Sequence, residues 1–409
     1  MTPLAQLSPQ VRQYILVTGN YWAFTLTDGA LRMLVVLHFH DLGYSPLEIA
    51  LLFLFYEFFG VVTNLTGGWL GARLGLNRTM NLGLLLQVVA LGMLLVPTAL
   101  LTVPWVMAAQ ALSGIAKDLN KMSAKSAIKL LVPKDAEGAL YRWVALLTGS
   151  KNALKGAGFF LGAALLMALG FRGSALAMAA VLALIWLLSM IKLSQDLGRA
   201  KAKPKFTEIL SKSPAVNTLS AARMFLFGAR DVWFVVALPV YLSSAGWDHW
   251  RVGGFLALWV IAYGIVQTLA PRFTRGRQGR SPDGRSAVLW ALPLALLPAA
   301  IALAMAWGTS PVTWLVLGLW LFGAVFAVNS SLHSYLIVSY ASEDGVSLDV
   351  GFYYMANAMG RLLGTVLSGW LFQAYGLGIC LWVSALFVAT AALLSVWLPR
   401  HPVPAAGSH

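Results

Sequence analysis

Gly68-Trp69-Leu70-Gly71-Ala72-Arg73-Leu74-Gly75-Leu76-Asn77-Arg78 separates two long apolar runs, one ending near residue 70 and one starting near residue 79. Runs of about 20 apolar residues are long enough to cross the hydrocarbon of a bilayer. The glycines allow a tight turn. The two arginines mark the turn as one that stays on the side where Lys and Arg accumulate. Reading outward from this turn gives twelve apolar spans, near 14–39, 46–70, 79–101, 104–130, 140–169, 172–193, 214–242, 250–271, 287–307, 311–339, 348–374 and 377–398. The runs are continuous rather than alternating, so the spans are helices and not the strands of a barrel.

Composition agrees. Of 409 residues, 59% are hydrophobic and 11% charged, whereas about a quarter of a soluble domain is charged. An all-α, multi-pass membrane protein follows. The net charge of +14 is spread over loops and spans rather than gathered on one soluble module, which argues against nucleic acid as a partner. A single cysteine, Cys380, excludes an internal disulfide framework. The first apolar stretch carries Asp28 and Arg32 and has no small-residue cleavage site, so it reads as a retained helix. No phosphate-binding G-x-x-x-x-G-K-[ST] loop, metal-ligand spacing or nucleophile elbow is present. No cofactor, no metal and no enzyme activity are expected, and transport has to run on a gradient.

Basic residues set the orientation. Arg73 and Arg78, Lys134, Arg199 to Lys212, and Arg272 to Arg285 fall in alternate loops, while the opposite loops hold only Arg172 and Arg251. The basic loops and both termini are therefore assigned to the cytoplasm. The longest basic connection, 194–213, contains Lys201, Lys203, Pro204 and Lys205 and reads as a solvated linker. It divides the chain into a six-helix half at 1–193 and a second at 214–409. A weak internal repeat supports that division. Gly29-Ala30-Leu31-Arg32 answers Gly228-Ala229-Arg230-Asp231, Lys155 answers Arg361, Gly158 answers Gly364, and Gly170 answers Gly376. Two parallel halves around a midplane site is the layout of the major facilitator superfamily.

Nine cations lie inside the spans and clear of their ends: Arg32, Lys117, Lys121, Lys125, Lys151, Lys155, Arg223, Arg230 and Arg361. Only four acids, Asp28, Glu57, Asp118 and Asp231, share those surroundings. A cation near the bilayer centre costs roughly 3 kcal/mol, so the surplus implies a cavity that holds an anion. Lys117, Lys121 and Lys125 repeat at i, i+4 and i+8 and share one helix face, where they repel unless something negative or water lies against them. Lys125 is nearest the cytoplasm, where a buried stem with its amine at the interface is the plain reading. Lys151 and Lys155 repeat the spacing among Gly149, Gly156, Gly158 and Gly162, whose own role is close helix packing. Arg361 offers a guanidinium fork to an oxyanion, with pairing to a distant acid as the alternative. Asp28 and Arg32, at i and i+4, either neutralise each other or divide the work of proton and substrate. Asn20, Tyr21, Trp22 and Thr27 offer further lining. Arg230, Lys117, Lys121, Lys151, Lys155, Arg32 and Arg361 form the expected substrate-binding set. Asp28, Glu57, Asp118 and Asp231 are the candidates for proton coupling or charge pairing. One cation cluster is expected from spans four and five, and another from spans one, seven and eleven.

The opening turn resembles the loop motif of the major facilitator superfamily at Gly68, Arg73, Gly75 and Arg78, which the resemblance casts as a cytoplasmic gating loop. Ala72 stands where that motif has Asp, so the family's charge relay does not carry over. More specifically, the chain resembles the ArsJ-type organoarsenical efflux permeases. The likeness lies in Asn20-Tyr21-Trp22-Ala23-Phe24-Thr25-Leu26-Thr27-Asp28-Gly29-Ala30-Leu31-Arg32-Met33-Leu34, Leu37-His38-Phe39-His40, Leu42-Gly43-Tyr44-Ser45-Pro46 and Phe53-Leu54-Phe55-Tyr56-Glu57-Phe58-Phe59-Gly60. It implies efflux of 1-arseno-3-phosphoglycerate across a bacterial inner membrane, arsenate resistance, and a functional link to the glyceraldehyde-3-phosphate dehydrogenase that makes the cargo. A monomer is expected. From the residues alone, transport of another organophosphate or organic anion stays open, as does an intramembrane enzyme acting on a phosphorylated lipid. The latter lacks a catalytic set, and a receptor would lack a sensing domain.

Overall fold

A computed structural model describes residues 8–44, 52–132, 138–193, 197–201, 213–274 and 281–400. Most of the basic linker, Ser45 and Pro46, Lys134, Arg275, Arg277 and Arg280 lie outside the described residues, as does the side chain of His40. Within them every regular element is helical. The first four α-helices are α1 (Pro9–Asp41), α2 (Leu54–Leu74), α3 (Leu76–Met93) and α4 (Val103–Leu131). The run Ala139–Lys192 is two helices meeting at Gly170, whose φ of 67° and ψ of 178° are non-helical. These are α5 (139–169) and α6 (171–192). The remainder comprises α7 (Pro214–Phe234), α8 (Ala237–Ser244), α9 (His249–Thr274), α10 (Gly284–Trp307), α11 (Pro311–Tyr340), α12 (Val346–Tyr375) and α13 (Leu377–Ser395). With α7 and α8 counted as one broken span, twelve segments result.

Local chemistry sets the ends. Proline opens α4, α7 and α11 in the first turn, where its missing N–H leaves no bond unmade. Asp283 caps α10 by accepting from the backbone of Arg285 and Ser286 at 3.0 and 3.3 Å. The third span is shorter than its apolar run. The α-helix stops at Met93 and a 3-10 turn covers Thr98–Leu100. Pro97 removes a donor and disfavours helix at Val96, so apolarity alone misplaced this end.

Three apolar cores organise the bundle. One contains Tyr14, Met122, Tyr141 and Val144 from α1, α4 and α5 together with Leu219, Ala270, Tyr335, Val350 and Leu398 from the second half of the chain. It occupies the terminal end of the bundle, where α1 begins and where the chain leaves α13 at Leu398. At the opposite, distal end the cores are separate. One runs from Phe24 to Leu182 within α1–α6, and the other from Leu226 to Ala391 within α7–α13.

The same helix contact occurs twice. Gly29 of α1 backs onto Gly158 of α5, and Gly228 of α7 backs onto Gly364 of α12, with the neighbouring backbone too close in both places to admit a Cβ. Gly170 and Gly376, each at the turn that follows, share a positive φ with ψ near 180°.

Seams between the first and second parts of the chain close at the terminal end. Ser347 Oγ of α12 donates to the Gly68 carbonyl of α2 at 2.7 Å. Lys129 Nζ of α4 donates to the Ser339 carbonyl of α11 at 2.8 Å, and Thr274 Oγ1 of α9 bonds Tyr141 Oη of α5 at 2.9 Å. A Cβ on Gly351 would stand 2.6 Å from the Asn64 carbonyl and 2.8 Å from Gly68 Cα. Overpacking costs about 1–3 kcal/mol, and 1.4 kcal/mol is about tenfold in an equilibrium. Gly351→Val is therefore expected to part α2 from α12. A cysteine placed at Ser347 should then react about tenfold faster with an impermeant maleimide added from the terminal side. Cys380, fully buried, provides a silent background. Unchanged labelling would show that this seam does not hold the end shut.

Candidate functional site

The internal charges sit between the three cores. Arg361 of α12 holds the centre. Its Nε lies 3.0 Å from Asp231 Oδ2 on α7, and its Nη2 lies 3.6 Å from Glu57 Oε1 on α2. The same Glu57 oxygen takes Arg32 Nη2 of α1 at 3.2 Å. Arg230 Nε donates to Asp231 Oδ1 at 2.6 Å. Arg32, Glu57, Arg361, Asp231 and Arg230 thus form a chain of alternating sign across four helices. The side chains of Arg32, Glu57 and Arg361 keep 27%, 34% and 31% of their surface accessible, while Asp231 keeps none. Accessible charges enclosed among long apolar helices mark a polar cleft. Asp231 is its buried footing.

Lys117 and Lys121 of α4 share the buried Asp118, with Lys117 Nζ at 3.8 Å from Oδ2 and Lys121 donating to Oδ1. Tyr56 of α2 ties this group to the first. Its hydroxyl donates to both oxygens of Asp28 at 2.8 and 3.0 Å. Its ring lies 3.9 Å under Lys117 Nζ and 4.7 Å under the Arg32 guanidinium. A ring face stabilises a desolvated cation by about 2 kcal/mol. Of the two readings of Asp28 and Arg32, the mutual pair does not form: Tyr56 takes the acid and Glu57 takes the arginine. Helical spacing allowed the local pair, but the neighbouring helix offers better geometry to both.

A third group has no acid. Among the described residues, no carboxylate lies within ion-pair distance of Lys125, Lys151, Lys155 or Arg223. Lys125 Nζ donates to Thr148 Oγ1 at 2.6 Å and faces the Tyr354 ring at 5.2 Å. Its amine does not reach the interface; the helix face that carries it turns toward α5. Lys151 Nζ donates to Asn152 Oδ1 at 3.3 Å, and Asn152 in turn donates to Gln267 of α9 at 2.6 Å. Lys155 has Arg32 and Asp28 as its strongest electrostatic neighbours. Arg223 Nε donates to Asn357 Oδ1 at 2.8 Å and its Nη1 to the Ser330 carbonyl at 3.1 Å, with the guanidinium 3.8 Å over Phe227.

The expected division into two clusters by span is therefore corrected. Lys117 and Lys121 of α4 share a level with Arg32, Glu57 and Arg361, and Lys155 lies beside Arg32 and Asp28. Lys125 and Arg223 lie nearer the terminal end with no acid at ion-pair distance among the described residues, so α4 contributes to both levels. Asn20 donates to Ser189 on α6 and Trp22 to Ser150, so both are packing contacts. Thr27 bonds back into its own helix at Ala23. Tyr56, Tyr353, Tyr354 and Asn357 were missed. Tyr56 and Asn357 did leave a signal: the first adjoins Glu57, and the second is four residues before Arg361 on the same helix face.

At the turn between α2 and α3, Gly68 packs on Ser347, Gly75 takes a φ of 100°, and Arg73 lies 5.1 Å over the Trp69 ring. Ala72 is fully buried, and its carbonyl accepts from Ala200 N at 2.8 Å. Leu76 N donates to Leu197 O at 2.8 Å. Backbone bonds to 197–200 close this turn where an acid is missing.

Membrane-length helices, a polar cleft between separate cores and a seal at one end define a polytopic membrane transporter. Solved structures share the architecture. The human organic anion transporter MFSD10 superposes with a TM-score of 0.76 at 16% identity, over 95% of this chain and 100% of that one. A bacterial homologue of the iron transporter ferroportin, in its outward-facing state, gives 0.74 at 16% over 94% and 98%. The transporter FucP in its outward conformation gives 0.71 at 11% over 95% and 99%. No curated protein matches the chain. The model of the Major Facilitator Superfamily matches residues 16–289, and the chain belongs to that superfamily. It is a transporter and not an enzyme.

Removing the buried carboxylate at Asp231 leaves Arg230 without an acid and Arg361 with Glu57 alone. Loss of one partner of a buried pair costs about 3–5 kcal/mol. Asp231→Asn is expected to lower the unfolding temperature in detergent far more than Glu57→Gln, whose carboxylate is one-third exposed. Equal shifts would deny Asp231 its role as footing.

Proposed function

We propose that the chain exports a small, highly anionic solute by alternating access, and that the cargo is 1-arseno-3-phosphoglycerate. The observation that carries the reading is charge: nine cations against four acids inside the spans and clear of their ends, with the accessible ones grouped at one cleft. Arg32, Lys117, Lys121, Lys151, Lys155, Arg230 and Arg361 bind the anion. Asp28, Glu57, Asp118 and Asp231 hold these cations in place while the cleft is empty. An entering oxyanion competes with Glu57 for Arg361 and Arg32, and so loosens the tie between α2 and α12. Halves at 1–193 and 214–409, joined by the linker 194–213, then rock about the site, with Gly68, Arg73, Gly75 and Arg78 at the cytoplasmic gate.

The conjugate rests on the likeness of the 20–60 stretch to organoarsenical permeases. The site chemistry is in keeping with it, because an arsenate ester calls for Arg and Lys whereas trivalent arsenic calls for thiolates. The chain acts as a monomer in a bacterial inner membrane, with both termini cytoplasmic, and a glyceraldehyde-3-phosphate dehydrogenase supplies the cargo. A second reading, another organophosphate or organic anion, is favoured by the likeness to the organic anion transporter MFSD10.

Everted vesicles distinguish them. With arsenate, glyceraldehyde 3-phosphate, NAD and the dehydrogenase present, arsenic uptake is expected to need the permease and every component. Uptake of arsenate alone would sink the conjugate, and no arsenic uptake from the complete mixture would leave the second reading. Lys117→Ala or Arg361→Ala should lower uptake at least tenfold, in line with about 1.4 kcal/mol per lost charge contact. Uptake unchanged in folded protein would remove those residues from the site.

A further inference from the structure

We propose that Lys125 and Arg223 form a second anion subsite, deeper than Arg32 and Arg361, which takes one head of a two-headed phosphate-class anion. The proposal deepens the transport reading above and rests on it.

Three observations carry it. First, the group is uncompensated. Lys125 and Arg223 are each only 3% exposed, and no carboxylate neutralises them among the described residues. Uncompensated buried charge costs several kcal/mol per ion. A fixed partner would be the inexpensive remedy, yet Asp28, Glu57, Asp118 and Asp231 are all committed elsewhere. Second, donors are left over. Arg223 uses two bonds of a five-donor fork, and Lys125 uses one of three. Third, three buried hydroxyls stand against the group, Tyr353 Oη, Tyr354 Oη and Ser334 Oγ, with Ser334 beside both tyrosines and no carboxylate among them. Tyr353 lies 5.3 Å from the Arg223 guanidinium, and its ring centroid is 5.0 Å from that of Tyr354. Cations and neutral donors converging with neutral acceptors alone, and no anionic one, describe a place for a tetrahedral oxyanion.

Spacing fixes the shape of the ligand. Lys121 faces the same Tyr354 ring at 4.8 Å and is itself tied to Asp118. It marks the border between the levels. Lys125 lies one helical turn below, about 6 Å at 1.5 Å per residue. Two phosphate-type groups on a three-carbon frame span such a step, and a single phosphate does not.

The test compares inorganic phosphate with propane-1,3-diyl bisphosphate on the purified full chain in nanodiscs. Joining two heads that occupy two subsites raises affinity about 100-fold. Wild type is expected to prefer the bisphosphate by about that ratio. Lys125→Met and Arg223→Gln should collapse the ratio to within about threefold, whereas Lys125→Arg, which keeps the charge, should retain it. If a charge-removing variant does not survive purification, Tyr354→Phe carries the test, and its ratio should fall several-fold. A wild-type ratio near one, or a ratio unmoved by all of these changes, overturns the subsite. Failure of wild type to bind either anion overturns the transport reading instead.

Discussion

Four carboxylates cannot neutralise nine cations, and the structure is arranged around that deficit. Glu57 is shared by Arg32 and Arg361, Asp118 by two lysines, and Asp231 by two arginines. Aromatic faces supply what the acids do not, with Tyr56, Phe227 and Tyr354 each lying against cations. The Glu57, Asp231, Tyr56 and Tyr354 arrangements each join two or more helices, while Asp118 and its two lysines all lie on α4. The electrostatics therefore constrain helix placement as firmly as the apolar cores do, and α2, α7 and α12 meet where Arg361 needs both of its acids.

Packing decides where those helices are free to move. At the terminal end a single apolar core spans both parts of the chain, and glycine contacts bring α2 against α12 and α5 against α9. At the distal end each part keeps its own core. The cleft lies where the shared core stops. Charge, access and the seam between the two parts of the chain coincide at one level of the bundle.

Much of this was legible beforehand. The helical repeat at Lys117, Lys121 and Lys125 placed three amines on one face, and the glycines around Lys151 announced close packing. Span number followed from apolar runs, because hydrocarbon tolerates no other backbone. What stayed hidden depends on contacts between distant residues. Whether Asp28 turns to Arg32 or to Tyr56 is settled by a helix 28 residues away. The partners of Arg361 lie on two other helices. Depth sorting of the cations was invisible because one helix, α4, serves both levels. The early stop of α3 was readable from Pro97 but was outweighed by the hydropathy of the residues around it.

The core that fills the terminal end also acts as electrical insulation. A chamber rich in fixed positive charge attracts every small anion in the surrounding solution, chloride among them. Were that chamber wet from both sides, it would conduct. Tyr14, Tyr141, Leu219, Leu336 and Val350 plug one mouth with hydrocarbon and aromatic rings, through which a bare ion does not pass. The attraction that suits the protein to an anionic cargo would short-circuit its membrane without that plug.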